Sequence, residues 1–365
     1  MSKKILAFLF VVLLLSVSLF NVSAVEHDAK TDGSNWMSSV DGSSYITSIN
    51  IPGTHDSATA YCTFGLISQT QFLNIEAQLY AGVRYLDMRF ELKNNKFYAM
   101  HGISSCHVSD GLFSAKLTAE DTIEVCKRFL DNNPGETILF QLKEENSTAG
   151  DSFFDLFYSK YIQGDEDSWY LENKTPTLDE ARGKIVLLRV VSASAEKFND
   201  SNSGINFGSY PYVEGTEIID FRLGNIWTLE NGNNVYSHTF VQDSYKLAPR
   251  QKWEAVSAFW NEELSKENYN INMTNCTGGL PFPIYTACEV NAKISEYEFA
   301  KGEYYGIVGL EFVNEELCEK IYMSNNLTDA VYEPTEAPVS AQLTASQANR
   351  NSIMYFIFNT LAKII

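Results

Sequence analysis

Residues 83–90 read VRYLDMRF, an apolar run in which acid and base alternate with hydrophobic side chains. Successive side chains of a strand point to opposite faces, so Asp87 and Arg89 share one face of the predicted strand. A charged pair is costly to bury unless it is matched. The run therefore predicts a buried strand whose charged pair is either a structural ion pair or part of a site.

Short apolar runs of this kind alternate with longer amphipathic stretches from about residue 44 to residue 323. Strands are predicted at residues 46–51, 83–90, 97–100, 137–142, 184–191, 235–241 and 306–312, and helices at 118–130 and 253–264. Such alternation is typical of an α/β fold with a mainly parallel sheet. Because no Gly-x-Gly-x-x-Gly or Walker motif occurs, we expect an irregular (β/α) barrel that forms a single domain.

The two ends of the chain differ in character from this central region. Two lysines, an apolar run and a Val-Ser-Ala sequence occupy residues 3–24, which is the layout of a secretory signal peptide. The predicted divisions are a signal peptide (1–24), a loose polar leader (25–43), the catalytic barrel (44–330), and a polar linker with a short apolar C-terminal tail (331–365). The tail is predicted to be a GPI-type attachment signal, a peripheral anchor or a frayed end.

Composition limits the possible binding partners of the protein and the cellular compartment in which it acts. The formal net charge of −19 opposes a nucleic-acid partner, because phosphate binding needs a basic face. Six cysteines in an exported chain favour one to three disulfides, but sequence does not choose among the pairings. Asn-x-Ser/Thr sequons predict a glycoprotein; they lie at Asn146, Asn173, Asn199, Asn272, Asn275 and Asn326.

Two histidines follow predicted strands in the same way. Residues 51–57 read IPGTHDS and residues 97–102 read FYAMHG, so His55, Asp56 and His101 stand where the chain leaves the sheet. In a barrel, this carboxyl end of the strands is the catalytic end. Each motif alone is also compatible with a solvated turn.

Together these runs resemble the catalytic X domain of phosphatidylinositol-specific phospholipase C. The matching runs are residues 51–56, 82–89, 100–102, 134–137, 142–144, 183–189, 241–245 and 306–312. The resemblance implies a distorted TIM barrel. Asp56 follows His55 where calcium-dependent members have Asn, and Arg89 stands where they place a metal-binding acid. The resemblance is thus to the bacterial, metal-independent type, and we expect no cofactor, no metal and no need for calcium.

The resemblance also implies a reaction and a role for each residue. The substrate is phosphatidylinositol or a GPI-type lipid, and the products are diacylglycerol and a cyclic inositol phosphate. His55 would act as the base on the inositol 2-hydroxyl, and His101, assisted by Asp56, as the acid on the glycerol oxygen. Arg89 would stabilise the phosphoryl charge. The implied head-group residues are Lys143, Arg189, Asp243, Tyr245 and Asp87. Glu311 would orient His55, although the family usually has Asp at that position.

Other classes of function remain open at this stage. The alternative is a catalytically silent lipid- or carbohydrate-binding module on the same barrel, for which the acid–base pair would have no use. A glycerophosphodiester phosphodiesterase needs a metal-binding acidic cluster that the sequence does not show. We expect a monomer that touches a membrane surface transiently. The apolar candidates for that contact are Tyr61, Phe64, Leu66, Ile67 and Phe72, or the loop at residues 281–285.

Overall fold

The computed structural model describes residues 33–111, 113–208, 219–228, 234–278 and 282–328, with backbone alone at 219–228 and 234–238. All of these lie within the compact unit Thr31–Gln342. The predicted signal peptide, linker and tail fall outside the described residues. No helix among the described residues is long and apolar enough to cross a membrane.

The described elements alternate as the sequence predicts. The strands are β1 (Ile51–Thr54), β2 (Tyr85–Lys93), β3 (Lys96–His101), β4 (Ser104–Ser105), β5 (Ile138–Glu144), β6 (Trp169–Tyr170), β7 (Ile185–Arg189), β8 (Ile205–Asn206), β9 (Ile219–Thr228), β10 (Asn234–Gln242), β11 (Tyr269–Met273) and β12 (Ile307–Leu310). The helices are α1 (Gly65–Ser68), α2 (Ile75–Tyr80), α3 (Ala119–Asn132), α4 (Asp151–Tyr161), α5 (Leu178–Ala181), α6 (Pro249–Trp260), α7 (Pro283–Glu296) and α8 (Glu315–Tyr322). Short 3-10 turns occupy Trp36–Ser39, Ile46–Ser48 and Glu166–Ser168.

One curled sheet organises these elements. Its strand order is β6-β7-β5-β2-β1-β12-β11-β10-β9, and each neighbouring pair is parallel except β10 with β9. β3 turns back antiparallel on β2, β4 on β3, and β8 pairs in parallel with β7. The predicted α/β class with a mainly parallel sheet is confirmed.

Burial explains why the strands read as continuous apolar runs. Every residue of β1 and β7 is buried, as expected of parallel strands covered on both faces. The predicted helix start at Thr118 is confirmed by a capping box with Asp121, and α3 turns Ile123, Cys126 and Leu130 inward. The predicted strand at residues 46–51 is wrong except at its last residue, because residues 46–48 form a 3-10 turn and β1 begins at Ile51.

The leader predicted to be loose is packed against the barrel over residues 33–43. Trp36 and Met37 are 5% and 0% exposed, and the Trp36 ring stacks on Tyr322 with centroids 5.4 Å apart. Looseness is therefore a wrong prediction for this part of the leader. Two apolar side chains within a polar stretch are enough to fix it to the core.

The leader also completes a buried ion pair at the start of β2. Arg84 is fully buried and pairs with Glu136, Nη2 to Oε2, at 2.7 Å. Its Nη2 also donates to the carbonyls of Gly33 (2.9 Å) and Ser34 (2.8 Å). A buried charge is tolerated when its donors are satisfied, and the leader supplies those acceptors.

Strand register brings the candidate residues to one end of the sheet. Thr54 of β1 is level with Leu310 of β12, so the residues that follow them, His55 and Glu311, leave the sheet side by side. Arg89 of β2 is level with Lys143 of β5. This is the carboxyl end of the parallel strands, where barrels carry their sites.

Candidate active site

The side chains of the candidate site converge on the carboxylate of Asp56. Its Oδ2 lies 3.1 Å from Nε2 of His55 and 3.3 Å from Nε2 of His101, while its Oδ1 lies 2.9 Å from Nε of Arg89. The residue is 2% exposed and has a φ of 45°, a left-handed conformation that Asp tolerates better than most residues. Burial opposes ionisation, but Arg89 and the two histidines outweigh it and lower the pKa of Asp56.

A second carboxylate, that of Asp87, also pairs with Arg89. Nη2 of Arg89 is 2.7 Å from Oδ2 of Asp87, and Nε2 of Gln141 donates to the other oxygen of Asp87 at 2.7 Å. Burial would raise the pKa of Asp87, yet Arg89 keeps it well below its usual value. Asp87 is 1% exposed, so the structure places this predicted head-group residue beneath the guanidinium. It positions Arg89.

His55 is held from its other nitrogen by Glu311. Nδ1 of His55 lies 3.2 Å from Oε1 of Glu311, and both side chains are buried. Burial lowers the pKa of His55, and the carboxylates of Asp56 and Glu311 raise it by more, so it lies above the usual value. Burial raises the pKa of Glu311, and the hydrogen bond with His55 only partly offsets this. The contact fixes Nδ1 and leaves Nε2 for chemistry.

The second histidine is fixed by a backbone carbonyl. Nδ1 of His101 lies 2.7 Å from the carbonyl oxygen of Ser68, the last residue of α1. The hydroxyl of Ser104, the first residue of β4, donates to the Ser68 hydroxyl at 2.7 Å. The His101 side chain is 26% exposed, more than that of His55 at 9%. The two imidazole centroids are 6.3 Å apart.

A cavity of about 710 Å³ opens beside Arg89. Its wall includes the predicted head-group residues Lys143, Arg189 and Asp243. One carboxylate oxygen of Asp243 is buried and has no hydrogen-bond partner among the described residues. A ligand hydroxyl in the cavity can satisfy it.

Arg189 and Tyr245 are the other two head-group residues that the resemblance implies. Arg189 is 6% exposed, donates to the carbonyls of Ser203 and Val191, and lies with its guanidinium carbon 5.4 Å from the ring centroid of Phe154. Two of its nitrogens are thus committed to the backbone of the cavity wall. Tyr245 is half-buried two residues beyond Asp243.

Ligand-capable atoms of His55, Asp56 and Asp87 lie within 4.8 Å of one another, close enough to hold a metal ion. Arg89 already donates to both carboxylates of this group. A bound cation would have to displace the guanidinium or sit against its positive charge. The donor set therefore fits a fixed organic cation better than a metal.

Residues 49–190 match the family model "Phosphatidylinositol-specific phospholipase C, X domain". This span contains both histidines, Asp56 and Arg89. Over this span the chain is similar to the phosphatidylinositol-specific phospholipase C X-domain family.

Two bacterial relatives are similar to this chain over different lengths. A 1-phosphatidylinositol phosphodiesterase of Staphylococcus aureus is 29% identical over 315 residues, which cover 80% of this chain and 89% of the relative. The protein of the same name from Listeria monocytogenes is 33% identical over 164 residues, or 42% of this chain and 47% of that one.

Solved X-domain structures have the same fold. The phosphatidylinositol-specific phospholipase C of S. aureus superposes with a TM-score of 0.65 at 22% identity, covering 81% of this chain and 98% of that one. The enzyme of L. monocytogenes gives a TM-score of 0.62 at 22% identity, covering 81% and 100%. The predicted distorted TIM-type barrel is confirmed by these neighbours.

Two residues of this site escaped the sequence-based prediction. The Ser68 carbonyl orients His101, and a backbone acceptor carries no signal in residue type. Gln141 orients Asp87 from the next strand, and its amide is also reached by the Tyr85 hydroxyl at 2.8 Å. The alternation along residues 138–144 places Gln141 on the same face as Lys143, which is the signal that could have found it.

Proposed function

We propose that the protein is a phosphatidylinositol phospholipase C that cleaves the glycerol–phosphate bond of phosphatidylinositol or a GPI-type lipid. One observation carries the proposal: two imidazole Nε2 atoms and one guanidinium converge on Asp56, within 3.3 Å of its carboxylate. An acid, a base and a fixed cation around one point are what phosphodiester cleavage needs. The names of the bacterial relatives support the same activity.

His55 is the proposed base. Its Nδ1 proton is directed to Glu311, so Nε2 can take the proton of the inositol 2-hydroxyl once it has lost its own. The hydroxyl oxygen then attacks phosphorus and forms the cyclic phosphodiester.

His101 is the proposed acid. In the imidazolium form, Nδ1–H donates to Ser68 and Nε2–H is free to protonate the leaving diacylglycerol oxygen. Asp56 stabilises that imidazolium, and Arg89 offsets the charge that builds on the phosphoryl oxygens.

Calcium is not required in this scheme. The guanidinium of Arg89, held between two carboxylates, supplies the positive charge that a metal ion supplies elsewhere. The pKa of Arg89 is raised well above its usual value, since both carboxylates outweigh the effect of burial, so its charge is permanent.

The cavity beside Arg89 is the proposed head-group site. Its volume of about 710 Å³ falls within the range of small-molecule pockets, which is roughly 300–1,000 Å³. Lys143 and the unpartnered oxygen of Asp243 are the proposed partners of the inositol hydroxyls. Arg189 shapes the wall, and Tyr245 is the proposed ring-stacking residue.

Phosphorus NMR with phosphatidylinositol and EDTA tests the activity. A cyclic phosphodiester signal is expected, and it should be lost in His55→Ala and His101→Ala. His107→Ala is the matched control, because His107 contacts Thr63 and Ser114 rather than Asp56. Turnover that appears only with calcium would refute the metal-free scheme. Inositol-lipid binding without any turnover would favour the silent binding module.

We propose that an apolar rim contacts the membrane. The rim consists of exposed side chains on two adjoining segments next to His101, and its members are Phe64 (48%), Leu66 (56%), Ile67 (49%), Ile103 (78%), Val108 (44%) and Phe113 (94%). The net charge of −19 opposes electrostatic attraction to anionic lipid, so apolar contact is the remaining force.

Other apolar candidates from the sequence are packed into the protein. Phe72 lies against Phe312 with ring centroids 4.6 Å apart, and Pro283 and Ile284 are buried. Co-sedimentation with neutral phosphatidylcholine vesicles tests the rim, and binding should fall in Phe113→Ser. Met323→Ser is the control, since Met323 is 51% exposed at the end of α8. Equal loss in both variants would contradict the rim.

Export and glycosylation complete the proposal. We propose that residues 1–24 are a signal peptide, from their layout, and that the protein acts outside the cell as a monomer. Burial divides the sequons: Asn173, Asn272 and Asn275 are buried, so the proposed glycan sites are Asn146, Asn199 and Asn326, which are exposed. The catalytic domain should then begin near residue 33. Anchoring by the C-terminal tail is a separate proposal, tested by whether removal of the tail releases the protein from membranes.

A further inference from the structure

Two cysteines face each other across a β-bridge between the segment that follows His55 and the segment that follows His101. Cys62 lies seven residues after His55, and Cys106 lies five residues after His101. They form an isolated antiparallel bridge. The flanking hydrogen bonds run from His107 N to Tyr61 O at 2.7 Å and from Thr63 N to Ser105 O at 3.0 Å.

This hydrogen-bond pattern defines the spacing of the pair. The bonds are made by the residues on either side of the cysteines, so Cys62 and Cys106 are a non-hydrogen-bonded pair. In such pairs the Cα atoms are about 4.5 Å apart and the side chains are at their closest. Disulfides span Cα separations of roughly 4.4–6.8 Å. The backbone therefore needs little movement to accept a bond between the two sulfurs.

We propose that Cys62 and Cys106 form a disulfide that ties the segment after His55 to the hairpin after His101. The structure holds all six cysteines as thiols. The other four lie in or next to separate elements, with Cys126 in α3, Cys276 after β11, Cys288 in α7 and Cys318 in α8. None of these four takes part in a β-bridge within the described residues. The pairing that sequence left open is thus assigned for one pair.

The chemistry needs an external disulfide as the oxidant, such as oxidised glutathione. The thiolate of one cysteine attacks the oxidant and releases one reduced thiol. The second thiolate then displaces the other thiol, so two protons and two electrons leave the pair. Burial and the Asp56 carboxylate raise the pKa of Cys62 to about 12, and burial also raises that of Cys106. The folded thiols are poor nucleophiles, so the bond should form while the chain folds.

The bond would fix the environment of His101. Ser68, whose carbonyl accepts from Nδ1 of His101, lies six residues after Cys62 in the same segment. The hairpin that contains Cys106 contacts Ser68 through the Ser104 hydroxyl. A covalent link between segment and hairpin keeps this carbonyl against the imidazole. It leaves the cavity residues Lys143 and Asp243 untouched, because they lie on other strands.

Peptide mapping of the full-length exported protein tests the bond directly. Each partner is the only cysteine in its tryptic peptide, Cys62 in residues 31–84 and Cys106 in residues 97–116. After alkylation under denaturing, non-reducing conditions, we expect one linked species that separates on reduction. Two singly alkylated peptides, or either cysteine linked to a different peptide, would overturn the assignment.

Thermal unfolding gives an independent measurement. Because either substitution removes the same bond, Cys62→Ala, Cys106→Ala and the double variant should each lower the unfolding temperature by the same amount, roughly 5–10 °C. Dithiothreitol should lower it equally in the wild type and in the matched control Cys126→Ala, but not in the three variants. If the decreases in unfolding temperature of the two single variants add up in the double variant, and dithiothreitol has no effect on the wild type, the two cysteines are unlinked thiols.

A kinetic measurement addresses the link to His101, and this part alone rests on the proposed function. With a soluble inositol phosphodiester, reduction should lower kcat several-fold and leave KM unchanged, because the acid is loosened and the head-group cavity is not. A change confined to KM would refute the positioning role. No turnover in either redox state would refute the proposed function, and the peptide map would still decide the disulfide.

Discussion

Glu311 is the residue whose replacement tests the acid–base scheme most directly. Its Oε1 lies 3.2 Å from Nδ1 of His55, and Glu311→Gln keeps the size of the side chain while removing its charge. A hydrogen bond to a charged group contributes about 1.5–3 kcal/mol, and about 1.4 kcal/mol corresponds to one pKa unit. The pKa of His55 should therefore fall by about one to two units.

The direction of the pH effect follows from the role of the base. His55 must be neutral to accept a proton, and its pKa is raised, so wild-type activity is lost as pH falls through that raised value. In Glu311→Gln the acid limb of kcat/KM should move to lower pH. The plateau should fall by about 10–100-fold, because the imidazole is no longer held by a charged partner.

The assay is a pH profile of kcat/KM with a soluble chromogenic inositol phosphodiester. Glu311→Asp is the companion variant: it keeps the charge but withdraws the carboxylate by about one bond, beyond hydrogen-bond distance of Nδ1. In Glu311→Asp the plateau of kcat/KM should fall. The acid limb of its profile should move less from the wild-type position than the acid limb of Glu311→Gln does. An acid limb unchanged in Glu311→Gln would refute the assignment of His55 as the base.

Three further predictions concern the cation, a buried lysine and the packed leader. Arg89→Lys should lower kcat by about 10²–10³-fold, without rescue by calcium, because an ammonium cannot bridge Asp56 and Asp87; calcium rescue would contradict this. Burial lowers the pKa of Lys252 from 10.5 to about 8. Between about pH 8 and pH 10.5 the unfolded chain therefore carries a proton on Lys252 that the folded protein has lost. Urea unfolding should show stability rising by roughly 3 kcal/mol across that window, and Lys252→Met should abolish the rise. Trp36→Ala should cost about 3–5 kcal/mol in the same assay, whereas a loose leader would give a change near zero.

The sequence predicted the parts of the site that depend on residue type and strand position. His55, His101 and Arg89 are uncommon residue types at or near the ends of apolar strands, and parallel strands bring such ends together. The family resemblance implied that Glu311 orients His55, and the pairing of β1 with β12 in the structure brings the two residues together.

The remaining features depend on tertiary contacts that leave no local pattern. Ser68 acts through its carbonyl oxygen, which every residue has. Arg189 looks like a free cation in the sequence, but its guanidinium is turned to backbone carbonyls and Phe154. The leader looked loose because its composition is polar, and two apolar side chains, Trp36 and Met37, override that composition.

The pairing of β1 with β12 has a consequence for when the molecule becomes active. These strands are neighbours in the sheet but lie more than 250 residues apart along the chain, and each contributes one member of the His55–Glu311 contact. Contacts of such long sequence separation form late and slowly, since the intervening loop must be closed first. An emerging chain therefore holds its base histidine without its partner until β12 has been made and docked. We expect the His55–Glu311 contact to form only after β12 has paired with β1, and a truncation before β12 to remove both the pairing and the contact.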